Sequence, residues 1–434
     1  MNYYSTNKHS GEATLPDAVI KGLAGDGGLY MPKQIPQLPA SFIESLPAKS
    51  LQEIAFTVAA AFVQDEVPAS ILKELVEEAL DFPIPLQEVE KGIYALELFH
   101  GPTMAFKDVG ARFMSRLMAY FTRNESRELK VIVATSGDTG SAVAAGFYNV
   151  PGIQVYILFP KGKVSPLQQK QLTTWGGNIT AIEVEGTFDD CQRLAKQALA
   201  DEKLNKTCLL TSANSINIAR LIPQSFYYFY AYGQLQQQGR PVVFSVPSGN
   251  FGNLTGGLLA AAMGLPVHHF VAATNANDVV PHYLRTGNYE PRASVPTISN
   301  AMDVGNPSNY ARMQELFEAD HQQFSAAVSG YTYTDDQTRS AIREVYRQHQ
   351  YLLDPHGAIA YLGLRDYLAE SKSGAIGVFL ETAHPAKFRE VMESTLEHAI
   401  EIPPQLQVFL NKHEQFLPIK NDFEQLSMLL ESSI

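Results

Sequence analysis

The stretch FHGPTMAFKDVGARF spans Phe99–Phe113 and carries Lys107 at its centre, between Phe106 and Asp108. An apolar run that leads a single lysine into the start of a predicted helix is an unusual place for an ammonium group. Removing the amine from water disfavours its charged form and lowers its pKa. A neutral lysine can form a Schiff base with a carbonyl compound and can move protons. A solvated lysine at the start of a surface helix explains this stretch equally well, so the other motifs must decide.

The composition limits the classes of partner. A chain of 434 residues suggests roughly two or three domains. The net charge of −12 and the lack of a Lys/Arg run argue against nucleic acid as a partner. No segment has the apolar length that spans a bilayer, and the N-terminus lacks a signal-peptide pattern, so we expect no membrane and a cytoplasmic location. Cys191 and Cys208 have no metal-ligand spacing, and we predict no metal site.

The first part of the chain differs from the rest. Amphipathic stretches at Leu51–Gln64 and Ile71–Leu80 place apolar residues at helical spacing. We therefore predict a small N-terminal helical domain over residues 1–85, with its border near Pro83–Pro85. Residues 86–434 are predicted to form the catalytic body, made of two α/β subdomains and a C-terminal helical tail.

From about residue 90 the pattern alternates between strand, turn and helix. Buried strands are predicted within Val131–Phe147 and at Val155–Phe159, Ile179–Val184, Leu209–Ser212, Val242–Val246, Phe270–Thr274 and Ala375–Leu380. We also predict a helix at Ile216–Tyr230 and a loop-rich insertion at about 275–309. This alternation favours an α/β fold, an open parallel sheet with helices on both faces. Ligands of such sheets bind beyond the carboxyl ends of the strands, so the turns there should converge on one cleft.

One turn of this kind follows the strand Val242–Val246 and opens a helix. Its residues are Ser248, Gly249, Asn250, Phe251, Gly252 and Asn253. Glycines allow a ligand to approach the backbone closely, and the free N–H groups of a helix start attract an anion. The turn is a candidate phosphate site, although it matches neither the P-loop nor the dinucleotide-binding motif. A purely structural turn is the alternative.

Two further turns carry candidate anion-binding groups. Thr135, Ser136, Asp138 and Thr139 form a hydroxyl-rich turn at a helix start, which suits a carboxylate or another small anion. Simple capping of the helix is the alternative.

Asn214, Ser215 and Arg220 follow the strand Leu209–Ser212. A guanidinium beside amide and hydroxyl donors fits a dianionic phosphate. The alternative is an arginine that pairs with a surface carboxylate.

The last strand runs into the turn ETAHPAKF, which can present the Thr382 hydroxyl to the same cleft. His384 and His356 lie in this part of the chain, and His268 and His269 lie earlier. Their spacing is not that of an H-E-x-x-H zinc site. We expect these four histidines to be structural or to support the site from behind.

Taken together, these motifs resemble the threonine synthases of the bacterial and fungal type. These are pyridoxal-phosphate (PLP) enzymes of the tryptophan-synthase-β-like fold, PLP fold type II, with parallel and mixed sheets flanked by helices. The resemblance covers nearly the whole chain. It rests on GLAGDGGLYMP, FHGPTMAFKD, ATSGDTG, SANSINIARL, SVPSGNFGN, SNAMDVGNPSN and ETAHPAKF, in that order.

The resemblance implies a role for each candidate residue. Lys107 resembles the lysine that forms the Schiff base, and Ser248–Asn253 resembles the cup for the cofactor phosphate. Thr382 resembles the hydroxyl partner of the pyridine nitrogen, and Asp138 the polar residue near the cofactor 3′-oxygen. The substrate groups are implied to be Thr135, Ser136 and Thr139 for the carboxylate, and Asn214, Ser215 and Arg220 for the phosphate.

The implied reaction converts O-phospho-L-homoserine and water to L-threonine and phosphate. We expect the chain to act as a monomer or a homodimer. Two alternatives remain on the same fold. One is a serine/threonine dehydratase-like β-eliminase, which needs no second phosphate site. The other is an inactive sensor of a phosphate ligand, which is expected to have lost the lysine.

Overall fold

The computed structural model of the chain describes residues 1–63 and 66–432. Gln64, the last residue of the predicted helix Leu51–Gln64, lies outside the described residues. Among the described residues, no helix combines the length and the apolar character that crossing a membrane requires.

The strands fall into three sheets. In chain order they are β1 (Tyr3–Ser5), β2 (Tyr30–Pro32), β3 (Leu86–Glu90), β4 (Ile93–Glu97), β5 (Leu129–Ala134), β6 (Ile153–Pro160), β7 (Ile179–Glu185), β8 (Leu209–Ser212), β9 (Val242–Pro247), β10 (His269–Thr274), β11 (Val328–Thr332), β12 (Ile376–Glu381) and β13 (Leu417–Lys420).

The helices surround these sheets. They are α1 (Leu15–Lys21), α2 (Ala40–Ser45), α3 (Leu51–Val63), α4 (Ala69–Ala79), α5 (Lys107–Thr122), α6 (Asp138–Phe147), α7 (Pro166–Thr173), α8 (Phe188–Ala200), α9 (Glu202–Thr207), α10 (Ile218–Leu221), α11 (Phe226–Leu235), α12 (Gly252–Ala262), α13 (Val279–Thr286), α14 (Tyr310–Leu316), α15 (His321–Ala327), α16 (Asp335–His349), α17 (Pro355–Ser371), α18 (Arg389–Leu396), α19 (Pro404–Leu410) and α20 (Phe423–Glu431). Short 3₁₀ turns lie at Leu46–Ala48, Ile222–Ser225, Gln236–Gln238, Asn300–Met302 and Pro385–Phe388.

Two separate sheets form the body, where the alternating pattern predicted one. The five-stranded sheet has the order β13-β7-β6-β5-β8 and is parallel throughout. The six-stranded sheet has the order β11-β10-β9-β12-β4-β3, and only β3 runs antiparallel to its neighbour. The single open sheet that the alternation alone favoured is not observed, because spacing along the chain does not specify which strands pair. The sequence also predicted a body of two α/β subdomains, and that division stays a prediction. The α/β class, with parallel and mixed sheets flanked by helices, is confirmed.

Both large sheets are covered on both faces, which explains their apolar strands. Val131 and Val133 of β5 face the main core, whereas Ile132 and Ala134 face the core formed with α8 and α20. In the six-stranded sheet, β9 faces the main core on one side and α17 on the other. Successive side chains of a strand point to opposite faces, so a continuous apolar run is needed here.

The N-terminal segment contains the predicted helices α3 and α4, together with α1, α2 and a two-stranded sheet of β1 and β2 that the sequence analysis did not anticipate. Leu15, Ile54 and Phe62 belong to the same core as α5 and α11 of the body. The segment therefore packs directly on the helix that starts at Lys107. Its boundary near residue 85 stays a prediction.

One local expectation was wrong. The predicted helix Ile216–Tyr230 is divided into α10, a 3₁₀ turn and α11, and it begins at Ile218 with the Asn217 side chain as its cap. Pro223 lies at the break, and a proline disrupts a helix interior. The loop-rich insertion predicted at about 275–309 contains the short helix α13 and the 3₁₀ turn Asn300–Met302, and the rest of it is irregular.

Candidate active site

Nearly all the predicted site residues line a single cavity between the two large sheets. The lining includes Lys107, Thr135, Ser136, Asp138, Thr139, Asn214, Ser215, Arg220, Gly249, Asn250, Phe251, Gly252, Asn253 and Thr382. Ser248 is the exception, because its hydroxyl points towards the Val246 carbonyl at 3.3 Å and the Asn253 Oδ1 at 3.4 Å. The expected convergence of the turns at the carboxyl ends of parallel strands is therefore observed.

Lys107 is the first residue of α5, as its sequence context predicted. The Phe106 amide donates to the Thr382 carbonyl at 2.8 Å, which fixes the start of α5 beside the end of β12. The next residue, Asp108, accepts from the Thr103 amide at 2.9 Å and from the Thr103 hydroxyl at 2.7 Å. These bonds hold the lysine at the junction of two backbone segments.

The Lys107 side chain is 16% exposed, and its Nζ lies 3.8 Å from the Asp138 Oδ2. Burial lowers the pKa of Lys107, because the charged amine loses its hydration. The Asp138 carboxylate opposes this change in pKa, and the positive charges of Lys387 and Arg220 reinforce it. The amine is thus easier to deprotonate than an ordinary lysine, in the direction that the sequence predicted.

Asp138 is almost completely buried and receives two strong contacts. The Lys387 Nζ lies 2.8 Å from its Oδ1, and the Gln168 side-chain amide donates to the same oxygen at 2.8 Å. Burial alone raises the pKa of this carboxyl, but Lys387 and Lys107 outweigh burial and hold its pKa below the usual range. Asp138 therefore stays ionised beside Lys107. Lys387 lies within ETAHPAKF, but no role was predicted for it from the sequence.

The turn after β9 presents backbone donors to the cavity. Phe251 has a φ of 59° and begins α12 with left-handed backbone geometry. In the described chain, none of the amides at residues 250–253 donates to another protein group. A Cβ at Gly249 would lie 2.7 Å from the Met302 Cα, so only glycine fits there. The turn is a set of free N–H groups at the start of a helix, which attracts an anion.

The turn at residues 135–139 uses part of its polar groups internally. The Thr135 hydroxyl accepts from the Gly137 amide at 2.9 Å and from the Gly140 amide at 2.8 Å. Its capping role, one of the two alternatives from sequence, is therefore observed. The hydroxyls of Ser136 and Thr139 have no protein partner in the described chain and line the cavity.

Asn214 and Ser215 connect neighbouring turns. The Asn214 side-chain amide donates to the Ala134 carbonyl at 2.9 Å, which ties the ends of β5 and β8 together. The Ser215 hydroxyl accepts from the Asn250 side-chain amide at 2.5 Å. This second bond brings Ser215 into contact with the turn after β9, so the two candidate phosphate sites are adjacent.

Arg220 is buried and only partly paired. Its Nη1 donates to the Ala213 carbonyl at 2.7 Å, whereas its Nε has no partner within the part of the chain that the structure describes. Burial lowers the pKa of its guanidinium to about 10, although Asp108 opposes this. The alternative of a pair with a surface carboxylate is wrong, because Arg220 is only 3% exposed. An unpaired buried N–H is costly and is relieved by an anion.

Sequence reasoning did not place His356 on the cavity, where it lies. Its Nδ1 contacts the Asp354 Oδ1 at 2.5 Å, and its Nε2 has no partner. The 3₁₀ turn Asn300–Met302 and the following Asp303 complete the wall. Asp303 belongs to SNAMDVGNPSN, which the sequence analysis quoted without assigning a role to any of its residues.

Burial raises the pKa of Asp303 to about 6, against hydrogen bonds from Thr297 and Asn275 that stabilise its anion. Among residues 1–63 and 66–432, no group of three or more His, Cys, Asp or Glu side chains could hold a metal ion.

Family models match along the whole length of the chain. The model described as "Pyridoxal-phosphate dependent enzyme" matches residues 80–381. Residues 2–80 match "Threonine synthase N terminus", and residues 357–429 match "Threonine synthase, C-terminal".

Individual relatives agree with these models. A threonine synthase of Haemophilus influenzae is 47% identical over 439 residues, with 100% of both chains covered. The crystal structure of threonine synthase from Escherichia coli has a TM-score of 0.92 at 42% identity, and 99% of each chain is covered. A PLP-bound threonine synthase from Brucella melitensis has a TM-score of 0.92 at 35% identity, again with 99% coverage of each. The PLP dependence and fold type II that the sequence predicted are confirmed, and the chain belongs to the threonine synthase family of PLP-dependent enzymes.

Proposed function

We propose that this chain converts O-phospho-L-homoserine and water to L-threonine and phosphate. The observation that carries the proposal is one cavity that combines a buried lysine with two adjacent sets of anion donors. These sets are the free amides of residues 250–253 and the group of Ser215 and Arg220. One set serves the cofactor phosphate and the other the substrate phosphate. Membership of the threonine synthase family supports the same assignment.

The residues present fit PLP. The amides of residues 250–253 suit its phosphate, and Gly249 lets the turn pack tightly against Met302. Lys107 would supply the amine for the Schiff base, the Thr382 hydroxyl would serve the pyridine nitrogen, and Asp138 would serve the 3′-oxygen. Ser248 supports the turn from within. When bound, the cofactor supplies the electron sink, and the protein orients the substrate and moves protons.

The substrate is held at both ends. The hydroxyls of Ser136 and Thr139 bind its carboxylate, and Thr135 holds that turn in shape. The partly paired guanidinium of Arg220 binds its phosphate, together with Ser215, and Asn214 fixes the distance between the two turns. A charge-assisted bond from a buried arginine is among the stronger polar contacts available to a phosphate.

Lys107 moves the protons in this proposal. Its lowered pKa makes the Nζ available as a base that takes a proton from Cα and then one from Cβ. Loss of the γ-phosphate follows beside Arg220. Cγ is then reprotonated, water adds at Cβ with its second proton passing to the phosphate, and Cα regains a proton. The phosphate can itself act as an acid or base, since its second pKa is about 6.

The rest of the assignment stays a prediction. We propose that residues 1–85 form a distinct N-terminal domain against a body of residues 86–434, which includes residues outside the described ones. A cytoplasmic location, the absence of nucleic-acid partners and a monomeric or homodimeric state are predictions from the sequence.

The test is a single assay on the purified protein supplied with PLP and O-phospho-L-homoserine. Free phosphate and threonine are quantified together, and equal amounts are expected. Lys107→Ala should lose at least roughly 10²–10⁴-fold in rate, which is the usual contribution of a general base. The exposed Lys163 provides the matched control, since Lys163→Ala should keep full activity.

Two other outcomes contradict the proposal. Phosphate without threonine means that elimination outruns hydration, which is the behaviour of a dehydratase-like enzyme. No product despite bound cofactor removes O-phospho-L-homoserine as the substrate and favours a sensor of a phosphate ligand.

A further inference from the structure

Lys387 is a second buried lysine, which contacts Asp138 of the cavity wall and does not itself line the cavity. It lies in the 3₁₀ turn Pro385–Phe388 after β12, and its side chain is completely buried. Its Nζ lies 2.8 Å from the Asp138 Oδ1 and donates to the Thr103 carbonyl at 2.9 Å. A buried ammonium is unfavourable unless it is paired, so this geometry identifies Asp138 as its counter-ion.

Two lysines therefore compete for one carboxylate. Lys387 and Gln168 both contact the Oδ1 of Asp138 at 2.8 Å. Lys107 faces only the Oδ2, at 3.8 Å, which is beyond hydrogen-bonding distance. The pairing is closer for Lys387 than for Lys107.

The other charged groups near Lys107 do not replace this counter-ion. Arg220 lines the same cavity as Lys107 and adds a positive charge near it. Asp108 is adjacent in sequence, but both of its oxygens accept hydrogen bonds from Thr103. Asp303 and His356 lie on the cavity wall as well, and neither forms an ion pair with Lys107 in the described chain.

We propose that Lys387 is a positioning residue: its ammonium occupies Asp138 and so leaves the Lys107 amine without a close counter-ion. Lys107 is thereby kept in the form that can combine with a carbonyl compound and accept a proton. Lys387 acts through Asp138 and touches no reacting atom. This inference deepens the proposed function, because it assigns a group that prepares the same lysine.

The reactivity of Lys107 towards acetic anhydride provides a direct test. The full-length protein, freed of cofactor, is labelled briefly across a range of pH, and acetylation of Lys107 is quantified by peptide mass spectrometry. In Lys387→Met, Asp138 loses its paired cation, and Lys107 becomes the nearest positive charge to it. The protonated form of Lys107 is then stabilised. The midpoint of the labelling profile should move to higher pH, and the rate at neutral pH should fall on the order of tenfold.

Two further variants separate charge from packing. Gln168→Leu removes a donor at the same distance from the same oxygen but carries no charge, so its midpoint should move less than that of Lys387→Met. The double variant Lys387→Met/Asp138→Asn removes both charges of the pair. It avoids a stranded buried carboxylate, and its profile should return towards that of the parent protein.

The holoenzyme gives a second measure that does not depend on turnover. The pH at which the visible absorbance of bound PLP changes should move upward in Lys387→Met and not in Gln168→Leu. Circular dichroism and thermal unfolding confirm that each variant is folded before it is compared. If Lys387→Met does not fold, the double variant and Lys387→Gln carry the test, because Gln keeps the packing and a donor while removing the charge.

An unchanged labelling profile in the folded Lys387 variants overturns the proposal. So does a double variant whose midpoint stays as high as that of Lys387→Met. Neither measurement uses O-phospho-L-homoserine. A failure of the proposed function, seen as phosphate without threonine, is therefore distinguishable from a failure of this inference.

Discussion

Single residues in the cavity are left with unused bonding capacity. The Nε of Arg220 and the Nε2 of His356 are buried without partners, whereas most buried polar groups in proteins are paired. The hydroxyls of Ser136 and Thr139 likewise line the cavity with no hydrogen-bond partner among the described residues. This arrangement suits a polar ligand. Without a ligand, the buried unpaired groups lower the stability of the fold.

Arg220 is the residue that best separates the two anion sites. Arg220→Met should leave PLP binding intact and weaken the binding of O-phospho-L-homoserine. We expect KM to rise about tenfold or more, since a charge-assisted hydrogen bond contributes roughly 1.5–3 kcal/mol. Steady-state kinetics and absorbance titration with PLP measure the two effects separately. Arg220→Lys keeps the charge without the planar fork, so it should recover only part of the loss. Loss of PLP with an unchanged KM would mean that the two phosphate assignments are exchanged.

At this scale the sequence predicted most positions on the cavity wall but not how they pair. Lys107, Asp138 and Arg220 were named from local motifs, since each lies at a turn with a recognisable composition. The pairing of Asp138 with Lys387 joins segments far apart in the chain, and no local pattern reports it. His356 was predicted to be structural or to support the site from behind, because zinc-site spacing is absent, and its contact with Asp354 only becomes visible in the fold.

At the scale of elements, the buried parallel strands were predicted well because they are continuous apolar runs. Leu209–Ser212 has the predicted bounds, and β9 extends its prediction by one residue. Short, exposed strands such as β13 gave no such signal, since only one of its four residues is buried. The order of strands, and hence the division into two sheets, depends on long-range contacts that spacing does not encode.

The junction of β9 with α12 leads to a prediction about one glycine. Gly249→Ala places a methyl group 2.7 Å from the Met302 Cα and 2.8 Å from the Ala301 carbonyl, and backbone atoms cannot swing aside. The free amides of the turn should therefore be displaced. The binding free energy of PLP should become less favourable by about 1–3 kcal/mol, which is the typical cost of overpacking. Fluorescence titration of the cofactor-free protein with PLP measures this change in affinity.

A second glycine provides the matched control. Gly11 has nothing within 4 Å of an added Cβ, so Gly11→Ala should bind PLP as the parent protein does. Equal affinity of Gly249→Ala and the parent would show that the turn relaxes freely and that its tight packing is unimportant.

At the scale of the whole molecule, Arg312 joins the N-terminal segment to the cavity. It is completely buried, and its Nη2 donates to the Tyr30 carbonyl at 3.1 Å and to the Ile216 carbonyl at 2.7 Å. Its Nη1 donates to the Ser215 carbonyl at 3.1 Å and the Asn309 Oδ1 at 2.9 Å. One side chain thus ties β2, the turn after β8 and the start of α14 together.

Replacing this arginine should destabilise the molecule globally. In Arg312→Met several buried carbonyls lose their donor, and each unsatisfied group costs about 1–3 kcal/mol. We expect a lower urea midpoint and faster proteolysis near β2. Arg285→Met is the control: Arg285 is exposed in its pair with Asp278, and such a pair contributes about 0–1 kcal/mol. Equal urea midpoints for the two variants would contradict this view of Arg312.

The groups proposed to bind the cofactor and the substrate mostly follow strands of different sheets. The turn at residues 248–253 and Thr382 follow strands of the six-stranded sheet, whereas Ser136, Thr139 and Arg220 follow strands of the five-stranded sheet. In the proposed function, most cofactor contacts therefore come from turns of one sheet and the substrate contacts from turns of the other. Substitutions in the turns of the five-stranded sheet can therefore change substrate preference while the turns of the six-stranded sheet keep PLP bound. To redirect substrate preference, Ser136, Thr139 and the turn after β8 should accordingly be randomised, while Asp138 and the turns after β9 and β12 are kept.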